Sequence, residues 1–113
     1  MSIELNGKTI ETDANGYLVD PADWSEEVAV EIAKGEGIDP LTQEHMDIIH
    51  YLRDEFLNNN QHQPNDREIN KFCADKWGRK VSSKEVYDLF PGKPSKQACM
   101  IAGLPETKRK GGY

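Results

Sequence analysis

Apolar residues recur at helical spacing over most of this chain, in short stretches separated by glycine, proline and amide-rich breaks. The first nineteen residues follow a different pattern. Ile3, Leu5 and Ile10 flank Asn6-Gly7, a strong two-residue turn signal, and predict a β-hairpin. A second turn at Asn15-Gly16 precedes Tyr17-Leu18-Val19, so two or three short strands are expected.

Helices follow. Ser25 caps the first, with Glu26 and Glu27 at the positive end of its dipole, Val28, Ala29, Ile32 and Ala33 inward, and Gly35 as its stop. Thr42 caps a longer second helix, with Met46, Ile49, Leu52, the stem of Arg53 and Phe56 as its inner face. The polar run from Asn58 to Pro64 reads as a loop. A third helix over roughly 66–77 places Ile69, Phe72, Cys73 and Trp77 on one stripe, which makes Cys73 a core residue, and Gly78 closes it. Ser82-Ser83-Lys84-Glu85 suggests a capping box for a fourth helix, with Val86, Leu89 and Phe90 inward, and Pro91-Gly92-Lys93-Pro94 breaks it. The fifth carries Ala98, Ile101 and Ala102 as its stripe and is stopped by Gly103 and Pro105. The expected class is α+β, mostly α: a β-hairpin packed on a bundle of about five helices.

Length and charge refine this. At 113 residues the chain is one domain, expected over 1–105, and 106–113 are expected to form a flexible basic arm because Tyr113 is their only apolar anchor. No apolar run approaches the ~20 residues that span a bilayer, and no secretion-signal pattern opens the chain. Two cysteines without framework spacing fit a reducing cytoplasm. The net charge of −6 is unevenly spread. Residues 1–63 hold 3 Lys/Arg against 14 Asp/Glu, whereas residues 64–113 hold 11 against 6. An anionic partner would meet the second half, unless the halves simply neutralise each other as solvated surface.

The chemistry points to one thiol. Cys99 lies one step round from the apolar stripe of the last helix, at a core edge where a thiol reaches solvent, and a basic segment follows it. That suggests sulfur chemistry or redox sensing, the alternative being a small apolar filler. His45, His50, His62, Cys73 and Cys99 show no zinc-ligand spacing, so neither a metal nor a cofactor is expected. No phosphate-cradling or hydrolase motif occurs. Glu26/Glu27 and Asp54/Glu55 read as solvated surface, and Trp24 and Trp77 as packing residues. The third and fourth helices meet at a corner that resembles a helix-turn-helix, where Arg79, Lys80 and Lys84, with Lys108-Arg109-Lys110, could touch phosphates. Against nucleic-acid binding, the second helix of that corner carries Glu85 and Asp88 and few side chains suited to base edges.

The run Leu89-Phe90-Pro91, then Lys96-Gln97-Ala98-Cys99, then Ile101-Ala102-Gly103-Leu104-Pro105 resembles the DsrC/TusE family. These are small sulfur-relay proteins that include the gamma subunit of dissimilatory sulfite reductase. Gly7-Lys8, Gly16-Tyr17-Leu18, Trp24, Thr42-Gln43-Glu44-His45, Leu52-Arg53-Asp54, Pro64, Arg67 and Tyr87 match in order. The resemblance implies a β-hairpin on a helical bundle with a mobile C-terminal arm. It also implies that sulfur is carried on a cysteine one residue before the C-terminus, and that members tied to sulfite reductase hold a second cysteine in the position of Cys99. Here Gly112 stands at the penultimate position, the segment after Pro105 is longer than the family tail, Met46 replaces a common Trp, and Pro91-Gly92-Lys93-Pro94 reorders the glycine. The familiar sulfur bridge across the arm is therefore not expected here.

What the resemblance implies is a cytoplasmic protein of sulfur metabolism that docks to partner proteins, either sulfite reductase or tRNA-thiolation relay proteins. Cys99 would be its sulfur-accepting thiol, with Lys96, Arg67 and the start of the short helix supporting a thiolate. The alternative is a regulatory or redox-sensing module, possibly binding nucleic acid, without carrier activity. Such a chain is a relay protein rather than a stand-alone enzyme. The sequence leaves its oligomeric state open.

Overall fold

A computed structural model describes residues 2–5 and 7–105. Strands β1 (Ser2–Leu5) and β2 (Lys8–Glu11) pair antiparallel, with Ile3 opposite Ile10 and Leu5 opposite Lys8. Gly7 takes φ +79° in the connecting turn, a conformation that costs an L-side chain strain; Asn6 lies outside the described residues. The expected third strand reduces to one bridge between Thr12 and Leu18. The reason is local: Asp13 Oδ1 accepts from the backbone N–H groups of Asn15 (2.8 Å) and Tyr17 (3.0 Å), so the chain turns instead of extending.

Five α-helices follow a 3-10 turn at Pro21–Asp23. They are α1 (Glu26–Gly35), α2 (Gln43–Asn58), α3 (Asp66–Trp77), α4 (Ser83–Leu89) and α5 (Pro94–Ile101). Ser25, Thr42, Asn65 and Ser82 cap the first four with their side chains, and the last three of these form reciprocal capping boxes. α1 ends at Gly35 as expected, and Gly37 at φ +81° makes the left-handed turn just beyond it, where the N–H of Ile38 reaches back to the Ala33 carbonyl (2.8 Å).

The inner face of α2 is rotated from the expected one. His45, Ile48, Ile49 and Leu52 are buried, while Met46 and Phe56 pack at its margin. The larger difference concerns α5. It packs against α1, α2, α3 and α4 together, so it is the central helix rather than one more layer. Pro94, Ser95, Gln97, Ala98, Cys99 and Ile101 are all buried, leaving only Lys96 and Met100 half-buried along one ridge. With four helices around it, α5 meets solvent only along that ridge, so stripe reasoning from one face misplaces the rest of it.

Candidate functional site at the ends of α5

Helix α5 brings no cap of its own. Lys93 at its N-cap position adopts φ +84° and makes no side-chain cap, and Pro94 occupies the first turn. The cap comes from α3: Asp66 Oδ1 accepts from the Ser95 N–H (2.9 Å), and Asp66 Oδ2 lies 2.6 Å from Lys93 Nζ. That carboxylate holds the Lys93 ammonium above its usual range. Gln97, buried one turn on, accepts from the Gly92 N–H (2.9 Å) and donates to Glu36 (3.2 Å), which fixes the loop before the helix.

The other end is held just as completely. The N–H of Gly103 reaches the Met100 carbonyl (3.1 Å) and that of Leu104 reaches the Cys99 carbonyl (3.0 Å), with Gly103 at φ +72°. This is a Schellman cap, and Cys99 and Leu104 are its outer pair. Two carbonyls remain, and residues far away in sequence take them. Trp24 Nε1 donates to Ile101 (2.9 Å) and Arg53 Nη1 donates to Ala102 (2.8 Å). Arg53 also donates to the Pro21 carbonyl (3.3 Å) and lies over the Trp24 ring, 4.4 Å from its centroid. Every carbonyl from Ala98 to Ala102 thereby has a donor. A cation at a helix C-terminus also meets the negative end of the dipole. Gly103 has no space for a side chain, since a Cβ there would lie 2.5 Å from Trp24 Cδ1 and 2.8 Å from Leu18 Cδ1. Beyond it, Gln63 donates to the Pro105 carbonyl (2.8 Å).

Cys99 therefore does not stand at a core edge. It is 0% exposed, as is Cys73, and no disulfide joins them. Cys99 is also the sixth of eight residues in α5, close to the negative end of the dipole, so the expected support from the helix start is not there. Arg67 is exposed on the first turn of α3 and Lys96 is half-buried on the outer ridge of α5, whereas the cation engaged with a carboxylate at this corner is Lys93. Burial, reinforced by the nearby carboxylates Asp47 and Glu44, pushes the Cys73 thiol up to about 12, which leaves it an inert core residue.

At the α3–α4 corner, Arg79 lies 2.8 Å from Glu85 and 3.5 Å from Glu44, and Lys84 lies 3.2 Å from Asp88. Two of the three cations expected to meet phosphates there are thus paired with carboxylates. Among the described residues, no group of three or more His, Cys, Asp or Glu side chains is arranged to hold a metal. No described helix is long and apolar enough to cross a membrane. Lys108-Arg109-Lys110, Gly112 and the rest of the expected arm over 106–113 lie outside the described residues.

Sequence reasoning saw Arg53 as an apolar stem and Trp24 as packing, and missed that both polar ends converge on one helix terminus. The available signal was the pair of unsatisfied carbonyls that any helix ending in Gly-Leu-Pro must place somewhere. His45 was missed as well. Its Nδ1 accepts from the Thr42 N–H (3.0 Å), its Nε2 donates to the Leu89 carbonyl (2.9 Å), and its ring meets Phe90 edge-on. Burial holds its pKa below the usual value, against the opposing pull of the Leu89 carbonyl and Glu44.

A family model described as DsrC-like protein matches residues 4–109. The sulfurtransferase TusE of Escherichia coli strain K12 is 46% identical over 103 residues, covering 90% of this chain and 93% of that protein. The solution structure of Allochromatium vinosum DsrC superposes with a TM-score of 0.85 at 40% identity, over 96% of this chain and 98% of that one. The oxidised gamma subunit of the dissimilatory sulfite reductase from Archaeoglobus fulgidus gives 0.86 at 37% identity, over the same shares.

Proposed function

The chain belongs to the family of DsrC-like proteins, and on that premise we propose that it serves a cytoplasmic sulfur relay by docking to partner proteins, with Cys99 as its sulfur-accepting residue. The observation that carries this is the match along nearly the whole domain to a protein named as a sulfurtransferase. Two classes of partner fit the relatives' names, a sulfite reductase and the proteins of a sulfur-transfer chain. In the transfer step, the Cys99 thiolate attacks the terminal sulfur of a donor persulfide. A bond forms from Cys99 Sγ to that sulfur as the donor's S–S bond breaks, and the donor leaves as a thiolate. No external oxidant is required. Burial in the closed state means that this attack needs the last turn of α5 to open.

The test is intact mass after incubation with a persulfide donor protein, with peptide mapping of the product. A gain of one sulfur atom on Cys99, lost in Cys99→Ser, is the expected result. An unchanged mass while the same donor loads a TusE relative removes the carrier role and leaves a docking protein.

A further inference from the structure

Two buried thiols in one small domain would ordinarily be reached by the same route, unfolding of the whole chain. The surroundings of Cys99 differ from those of Cys73 in one respect. Cys99 is joined through its own carbonyl to Leu104, and Leu104 is 0% exposed. The stretch from Ile101 to Pro105 that carries Leu104 is tied down from outside by three side chains, Trp24, Arg53 and Gln63. None of these three belongs to α5, and two come from segments that precede it by 49 and 77 residues. If that turn lifts, Leu104 leaves the core, the Cys99 carbonyl loses its donor and the final turn of α5 unwinds, while α3 and Cys73 keep their own local caps.

We propose that Arg53 and Trp24 are a latch on the last turn of α5, and that releasing it exposes Cys99 without unfolding the domain. The inference rests on the reading of Cys99 as the sulfur acceptor. Both latch residues are positioning residues: they act on backbone carbonyls and do not touch the sulfur chemistry. Their two interactions support each other, since the guanidinium that bonds Ala102 also stacks on the indole that bonds Ile101. Breaking either one loosens the other, as expected of an element with two discrete arrangements. A docking partner that engages the exposed part of Trp24, or that competes for the Ala102 carbonyl, would open the site only where it is bound.

The test is native-state alkylation of the full chain in reducing buffer with excess iodoacetamide, following each cysteine separately by peptide mass. In the unmodified protein Cys99 is expected to react about tenfold or more faster than Cys73, and its rate to rise only weakly with urea, whereas that of Cys73 rises steeply as for global unfolding. Arg53→Met and Trp24→Phe should each raise the Cys99 rate several-fold, with Arg53→Lys between, whereas Asn65→Ala, which loosens only the start of α3, should raise the Cys73 rate and leave that of Cys99 unchanged. One common rate for both thiols, with one steep urea dependence, overturns the latch even if the variants fold poorly, because that measurement needs only the parent chain. A Cys99 rate left unchanged by Arg53→Met overturns it too. Alkylation involves no sulfur donor, so the two ideas fail separately. A working latch without sulfur uptake removes the carrier reading, and sulfur uptake whose rate ignores Arg53 removes the latch.

Discussion

Helices α3 and α5 each bury one cysteine completely, yet they are built on opposite plans. Both ends of α3 are closed by neighbours in sequence. Asn65 Oδ1 accepts from the Glu68 N–H (2.9 Å), Glu68 returns a bond to Asn65 (3.2 Å), and Gly78 at φ +66° ends the helix with open space around it. The start of α5 is closed by Asp66, and its finish adds to a local Schellman turn two donors from elsewhere, Trp24 and Arg53. A locally capped helix keeps its ends whatever the rest of the domain does. A helix capped by its surroundings is only as closed as those surroundings. On the latch proposal equal burial does not mean equal access, and Cys99, the sulfur acceptor proposed above, lies in the helix of the second kind.

The strongest contrast is between the two terminal glycines. Gly103→Ala would drive a Cβ into Trp24 and Leu18 at a positive φ, so a loss of about 3–4 kcal/mol is expected in urea unfolding. Gly78→Ala meets nothing within 4 Å and carries only backbone strain, about 1–2 kcal/mol. Equal losses would show that α5 is not wedged by its neighbours. Next comes Arg53→Met, which leaves the Ala102 and Pro21 carbonyls without their charged donor and should cost about 2 kcal/mol in the same measurement. A loss no greater than that of an exposed arginine would remove Arg53 from the closure of α5.

At the opposite end, Asp66→Ala deprives the start of α5 of its side-chain cap and Lys93 of its carboxylate partner, at about 1.5–2 kcal/mol. Asn65→Ala, one residue away but serving α3 alone, should cost about 1 kcal/mol. Amide exchange would separate them: Asp66→Ala should speed exchange in α5 and Asn65→Ala in α3.

The smallest effect is a pH dependence at the α2–α4 contact. His45 has a folded pKa below its ordinary value, so the unfolded chain binds the proton more readily. Its contribution is fully present above the unfolded pKa near 6.5. It is lost as pH falls from there toward the folded pKa, by at most about 1.4 kcal/mol per pH unit. The His45→Gln variant should lose less stability than the parent chain between about pH 7 and 5.5. Parallel stability curves for the two proteins would mean that His45 is not held neutral by its burial.

The same contrast explains what could be read in advance. Ser25, Thr42 and Ser82 announce three helix starts because each satisfies a backbone N–H three residues away, so the relevant chemistry lies within one turn; Asn65 does the same for α3 without having been singled out. Cys73 was legible as core because the α3 stripe faces a single direction. Cys99 was misplaced for the converse reason. Its sequence neighbours Ala98, Ile101 and Ala102 describe one face, and nothing local says that α1, α2, α3 and α4 close round the helix. Arg67 and Lys96 looked like support for a thiolate because they are near in sequence or matched a motif, while Lys93 and Arg53 make the charged contacts at α5.

By itself, the sequence determined the hairpin, the order of helices, three of their local caps and the family, because all of these depend on residues within a few positions of one another or on the order of motifs. Tertiary structure alone decided which helix lies at the centre, that the candidate thiol is sealed, and which side chains hold it so. Those depend on carbonyl groups at one helix end meeting donors 49 and 77 residues earlier, and hydrogen-bond satisfaction across that separation leaves no local mark in the chain.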